Sequence, residues 1–171
     1  MDGPFSVSND IPLIPQTDKS LCWAACIAMM KGTSIVSVVN KTPHDQFNLS
    51  GIFNYSDEID DADRYQKTTS FARAHQLQFA IERSWSITSI YEQLLRGPMI
   101  FERLDKVKGY DIGLGSGSHW VLVTGIARGA NGIEVSYNDP WPPQKGAVKT
   151  VDYAKWLEKF PCLQYRVFWS M

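Results

Sequence analysis

The stretch Gln16-Thr17-Asp18-Lys19-Ser20-Leu21-Cys22-Trp23-Ala24-Ala25-Cys26-Ile27-Ala28-Met29-Met30-Lys31-Gly32 decides how the rest of this chain is read. From Leu21 to Lys31 it contains neither Gly nor Pro and is rich in Ala, Leu and Met, so it predicts a helix. Ser20 or Asp18 can cap its start, and Gly32 is placed to end it. Cys22 then falls in the first turn. A thiolate, not a thiol, is the nucleophile, and the positive end of a helix dipole favours an anion. Cys22 is therefore the best-placed nucleophile on the chain, whereas Cys26, one turn further in, reads as a small buried hydrophobe.

Working outward, residues 1–15 carry three prolines and little periodicity and read as an extended arm. Ser34–Asn40 is a short helix or a strand. A second helix is expected over Asp61–Ala74, ending near His75, and a short strand over Gln78–Ile81. A third helix, capped by Ser86 or Thr88, runs to Leu95 and is stopped by Gly97-Pro98. Beyond it the chemistry changes. Met99–Leu104, Ser118–Ile126, Gly132–Asn138 and Gln164–Trp169 are rich in Val, Ile, Tyr and Trp and are bounded by turn residues, as strands are. Asn131-Gly132 predicts a hairpin between two of them, and Gly113–Gly117 reads as a flexible loop feeding the strand that begins near His119. Helices first and antiparallel strands second make an α+β order.

The chain has 171 residues, 44% hydrophobic and 20% charged, which fits a single domain spanning 1–171. Seventeen Lys and Arg against 18 Asp and Glu give a formal net charge of −1. With no basic run, nucleic-acid binding by phosphate neutralisation is not expected. No apolar run approaches the ~20 residues that span a bilayer, and the N-terminus lacks the basic and apolar regions of a signal peptide. The acidic cluster Asp57, Glu58, Asp60, Asp61 and Asp63 lacks the calcium-loop spacing and reads as a solvated loop or helix start. Three cysteines, Cys22, Cys26 and Cys162, do not make a disulfide framework. Cys22 and Cys26 lack the second paired motif of a zinc site, so neither a metal nor a cofactor is expected.

His119 opens the apolar run His119-Trp120-Val121-Leu122-Val123. A histidine at the start of a buried strand, with one edge open near the surface, suits a general base. The hairpin returns Asn138-Asp139-Pro140-Trp141 toward it, and either Asn138 or Asp139 can fix the imidazole's tautomer and orientation, although the same residues also favour a turn. Gln16, six residues before Cys22, offers a side-chain amide to a developing oxyanion, with the Cys22 backbone N–H as a second donor.

These residues resemble the papain superfamily of cysteine peptidases. Gln16 followed by Cys22-Trp23-Ala24-Ala25 looks like its oxyanion-hole glutamine and nucleophile helix. His119 and Asp139-Pro140-Trp141 are similar to its later His and Asn/Asp elements, with Trp141 at the offset of the tryptophan that shields the pair. The Asp-Pro form is similar to the leader-peptide peptidase domains of bacteriocin exporters and to avirulence-effector cysteine proteases of plant pathogens. Leu94-Leu95-Arg96-Gly97-Pro98 and Tyr137-Asn138-Asp139-Pro140-Trp141 resemble the effector branch best. The Cys-Gly-Ser-Cys run of papain and the disulfides of its secreted eukaryotic relatives are missing.

The resemblance implies a papain-like α+β fold, a helical lobe with the nucleophile helix packed against an antiparallel sheet. It implies a triad of Cys22, His119 and Asp139 with Gln16, and supporting or substrate-binding positions at Trp23, Trp120, Asn138 and Trp141. It also implies a monomeric endopeptidase acting on a protein target, as a bacterial effector or toxin domain. Such a protein would be delivered into another cell by a specialised secretion system and matched by a cognate immunity protein in its producer. The same triad also serves amidase, transglutaminase and acyltransferase chemistry, and a silent binding module could keep the fold.

Overall fold

A computed structural model describes residues 3–44, 61–105, 117–159 and 163–171. Three helices form most of the first half: α1 (Cys22–Lys31), α2 (Ile35–Lys41) and α3 (Asp61–Ala74). Strand β1 (Phe5–Ser8) precedes them, and β2 (Leu77–Ser84), α4 (Ile87–Leu94) and β3 (Met99–Asp105) follow. The long hairpin of β4 (Gly117–Gly129) and β5 (Gly132–Asp139) turns at Ala130-Asn131, one residue before the expected Asn131-Gly132, and β6 (Ala147–Asp152), α5 (Tyr153–Lys159) and β7 (Leu163–Ser170) complete the chain. Residues 57, 58, 60 and 162 and most of the Gly113–Gly117 loop lie outside the described residues. Asp61 opens α3, where Asp63 pairs with Lys67 at 2.9 Å.

Helix α1 is buried on every side: all eight residues from Cys22 to Met29 are buried. A helix apolar around its whole circumference must be enclosed, not laid on a surface. Gly32 closes it in a left-handed conformation, φ 60°, which glycine adopts without a Cβ penalty. The start differs from expectation. Leu21 is the capping residue and no side chain caps the helix. Asp18 instead accepts from the Ser20 N–H and hydroxyl at 3.1 and 2.9 Å, a turn that spends both polar groups before the helix begins. Ser34 and Ser86 do cap α2 and α4, each accepting from an N–H three residues on.

All strand pairs are antiparallel, in the order β2-β7-β3-β4-β5-β6. β1 pairs with the far half of β4, Phe5 opposite Arg128 through Ser8 opposite Gly125. A Cβ at Gly125 would stand 2.9 Å from the Val7 carbonyl, so glycine lets these two backbones meet. Between Val123 and Gly125 the β4–β5 register shifts by one, leaving Thr124 as a bulge. Its carbonyl accepts the Asn9 backbone N–H at 2.8 Å and the Asn9 amide at 3.2 Å.

The pleat sends alternate residues to opposite faces of the sheet. Ile100, Trp120, Leu122 and Phe168 pack with Trp23 of α1 and Phe71 of α3. Phe101, Val121, Val123 and Val167 pack with Ile90 and Leu94 of α4 and Trp156 of α5. The class is α+β, with helices covering both faces and not one alone. Trp120 stacks on Phe168 (centroids 5.0 Å, 19°), and Phe71 sets its edge against Trp23, Trp120 and Phe168 at 5.6 to 5.8 Å.

Phe71 joins α1, α3, β4 and β7, so Phe71→Ala removes contacts from four elements at once. Urea unfolding should show a loss of roughly 3–5 kcal/mol. A loss below about 1 kcal/mol would mean that this ring does not hold the lobe to the sheet.

Candidate active site

The arm before α1 is sewn to the sheet by backbone groups. Asn138 donates its amide to the Ile11 carbonyl at 2.9 Å, the Gln16 N–H donates to the Pro140 carbonyl at 3.1 Å, and the Gln144 N–H donates to the Gln16 carbonyl at 2.9 Å. The turn after β5 thus holds the residue six positions before Cys22. Leu13 and Ile14 pack into the core around α1 at the same time.

Cys22 is the first residue of α1, at the positive end of its dipole. Its thiol acts on the ring of His119, the third residue of β4, and favours the ring's charged form. Nε2 of His119 lies 2.7 Å from Oδ1 of Asp139, which leaves Nδ1 for the thiol. Asn138 stands opposite Leu122 and faces α1, its amide 3.6 Å from the Met29 sulfur. Consecutive strand residues face opposite ways, so Asp139 takes the His119 side. Of the two alternatives left open by the sequence, Asp139 meets the ring and Asn138 fixes the arm.

The Asp139 carboxylate has three donors. Oδ1 accepts from His119 and from the Trp141 N–H at 3.0 Å, and Oδ2 accepts from the Lys149 ammonium at 2.5 Å. Burial alone would raise this carboxyl, but the His119 and Lys149 hydrogen bonds and the Trp141 N–H bring it down to about 2. Burial alone would likewise disfavour a charged imidazole. The hydrogen bonds to Asp139 and Cys22 outweigh it and raise His119 to about 9, so the ring is an imidazolium at neutral pH. Cys26 is different: burial first, then the charges of Cys22 and Asp139, hold its thiol well above the usual range.

Sequence reasoning placed His119 near the surface with an open edge. The structure corrects this: His119 is 3% exposed, Cys22 4% and Asp139 5%. Gln16 is fully buried. Its Nε2 donates to the Asp18 carbonyl at 2.6 Å, and its Oε1 has no partner among the described residues. Trp23 and Trp120 lie in the aromatic core, where they support α1 and β4 and offer no surface to a ligand. Trp141 is half-buried and contributes its backbone N–H to Asp139. The sequence reading missed Lys149, because the strand that carries it was not recognised, and the Asp18 carbonyl that orients Gln16.

The family model described as papain-like cysteine protease AvrRpt2 matches residues 5–155. The chain belongs to this family. The match spans the arm, α1, the β4–β5 hairpin and β6. Among solved structures, a protein described as a C39-like peptidase from Bacillus anthracis is similar in fold, with a TM-score of 0.55, 15% identity and 98% of each chain covered. Among curated proteins, none matches the sequence.

The pH dependence of stability follows from the two shifts. His119 rises from 6.5 to about 9 on folding, so its contribution is complete below pH 6.5 and is lost as pH climbs through 9. Asp139 falls from 3.8 to about 2, so its contribution is complete above pH 3.8 and is lost as pH drops through 2. The thermal midpoint should therefore decline between pH 6.5 and 9, and Asp139→Asn should flatten that decline. Parallel profiles for the two proteins would contradict the pairing.

Proposed function

We infer that this papain-like cysteine protease hydrolyses peptide bonds in a specific protein target through Cys22, His119 and Asp139, aided by Gln16. The single observation that supports this best is the His119 ring bonded to the Asp139 carboxylate at 2.7 Å, with the Cys22 thiol at the start of α1 acting on the same ring. A thiol sharing its proton with a carboxylate-oriented imidazole is an activated nucleophile.

In the first step the Cys22 sulfur attacks the peptide carbonyl carbon and the carbonyl oxygen takes up negative charge. The backbone N–H of Cys22 and the side-chain amide of Gln16 stabilise that charge. The amide nitrogen carries two hydrogens, and the Asp18 carbonyl takes one, which leaves one for the oxyanion. The C–N bond then breaks as the His119 imidazolium gives its proton to the leaving amine, and a thioester remains on Cys22. In the second step neutral His119 takes a proton from water, whose oxygen displaces the sulfur and releases the carboxylic acid. Asp139 stays ionised throughout and holds the ring in one orientation.

The biological setting we propose is that of a bacterial effector or toxin domain delivered into another cell, active in its cytoplasm and restrained in the producer by an immunity protein. The likeness of Leu94–Pro98 and Tyr137–Trp141 to avirulence effectors supports this setting.

Expression of wild type and Cys22→Ala in susceptible cells, followed by proteome-wide labelling of N-termini, tests both parts. New N-termini on one or a few proteins should appear with wild type and vanish with Cys22→Ala, a loss of at least 10³-fold. Equal patterns from the two proteins would remove Cys22 from the chemistry.

A further inference from the structure

The least expected group at the site is Lys149, on the edge strand β6. It stands directly opposite Tyr137, so its side chain shares that residue's face of the sheet, and its ammonium lies 5.9 Å from the centre of the Tyr137 ring. Asp139 is two residues beyond Tyr137 and faces the same way, which makes Lys149 its diagonal neighbour across the β5–β6 pair. The result is a row of three groups on three adjacent strands: imidazole on β4, carboxylate on β5, ammonium on β6. Each carboxylate oxygen bonds a different cation, Oδ1 to His119 and Oδ2 to Lys149.

An exposed ion pair contributes little. This one is asymmetric. The Asp139 side chain is 7% exposed, while that of Lys149 is 38% exposed, so the ammonium keeps part of its hydration and the carboxylate keeps almost none. Without Lys149, Oδ2 would be an enclosed anionic oxygen with no donor among the described residues, and the carboxylate would act on His119 alone.

We propose that Lys149 is a positioning residue of the active site, which holds the outer oxygen of Asp139 and offsets the pull of that carboxylate on the His119 proton. The proposal rests on the peptidase reading above. A general acid must release its proton as well as hold it, and one held too tightly by a buried carboxylate protonates the leaving amine slowly. The ammonium opposes that grip in two ways: it shares the carboxylate, and it repels the imidazolium across the same group. The Trp141 N–H keeps Oδ1 facing the ring whether or not Lys149 is present. Among the described residues, the other titratable groups at the pair are Cys22 and Cys26, both from α1.

The test is an NMR titration of the His119 ring in full-length protein with isotope-labelled histidine, comparing wild type with Lys149→Met, Lys149→Gln and Lys149→Arg. Lys149 is partly exposed on an edge strand, and the two uncharged variants guard against a folding defect in either one. The His119 midpoint should rise by roughly 0.5–1 pH unit in the Met and Gln variants and stay at the wild-type value in the Arg variant. An unchanged or lowered midpoint in the uncharged variants overturns the proposal, as does an Arg variant that moves as far as they do. Alkylation of Cys22 by iodoacetamide in the wild type separates the two ideas. An unreactive Cys22 would sink the peptidase reading, whereas a reactive Cys22 with an immobile His119 midpoint would sink the role of Lys149 alone.

Discussion

Helix α1 has no polar face, and most of the architecture answers that fact. Eight consecutive buried residues must be covered all round, by the sheet face carrying Ile100, Trp120 and Leu122, by α2, and by Leu13 and Ile14 of the arm. Burying one large apolar side chain contributes about 1.5–3 kcal/mol, whereas a charge at a helix end contributes about 0.3–1 kcal/mol. Packing, not capping or dipole, therefore decides where α1 lies, and the absence of a side-chain cap at Leu21 is tolerable for the same reason. Because Cys22 is the first residue of this helix, seating the helix also seats the sulfur against His119. The chemistry inherits its geometry from the core.

The second determinant is electrostatic. Enclosure acts against every charge at the site, lowering the affinity of His119 for its proton and raising that of Asp139. Both groups nevertheless move the other way, His119 to about 9 and Asp139 to about 2, because each supplies what the other has lost from water. Cys26, one turn along α1, has no such partner: burial, and after it the charges of Cys22 and Asp139, hold its thiol well above the usual range. Two cysteines on the same helix, four residues apart, thus differ in their surroundings: Cys22 opens the helix beside the His119 ring, and Cys26 lies fully inside the core.

Much of this was legible in the residues. The bounds of α3, Gly32 as the stop of α1, the β4–β5 hairpin and five of the strands follow from propensity and turn chemistry. Three elements did not show. β1 is four residues long, and its pairing depends on the close approach at Gly125, which no local pattern reveals. β6 carries Lys149 and Thr150 with an outward Val148, the mixed composition of an edge strand, and so gave neither a buried nor an alternating signal. α5 is only seven residues long. At the site, residue types pointed to Cys22, His119 and Gln16, but composition could not choose between Asn138 and Asp139, since both suit a turn and both can orient an imidazole. Strand alternation chose between them. The burial of His119 was hidden for another reason: enclosure is made by distant segments, and a sequence window does not hold them.

The bulge at Thr124 has a consequence beyond the hairpin. Along β5, Val135, Tyr137 and Asp139 share one face; along β4, Ile126 lies with them, and so do Val123 and Val121, because the extra residue inverts the alternation between them. His119 continues that series. Take Thr124 away and Gly125 and Val123 become successive residues opposite Ser136 and Tyr137, a regular ladder with the same pairs, so the imidazole would still meet the carboxylate. What would go is the carbonyl that Asn9 of the arm holds twice, by its backbone N–H and by its side chain. The extra residue therefore serves the arm and not the hairpin: it is the peg on which the segment leading to Gln16 and Cys22 is hung.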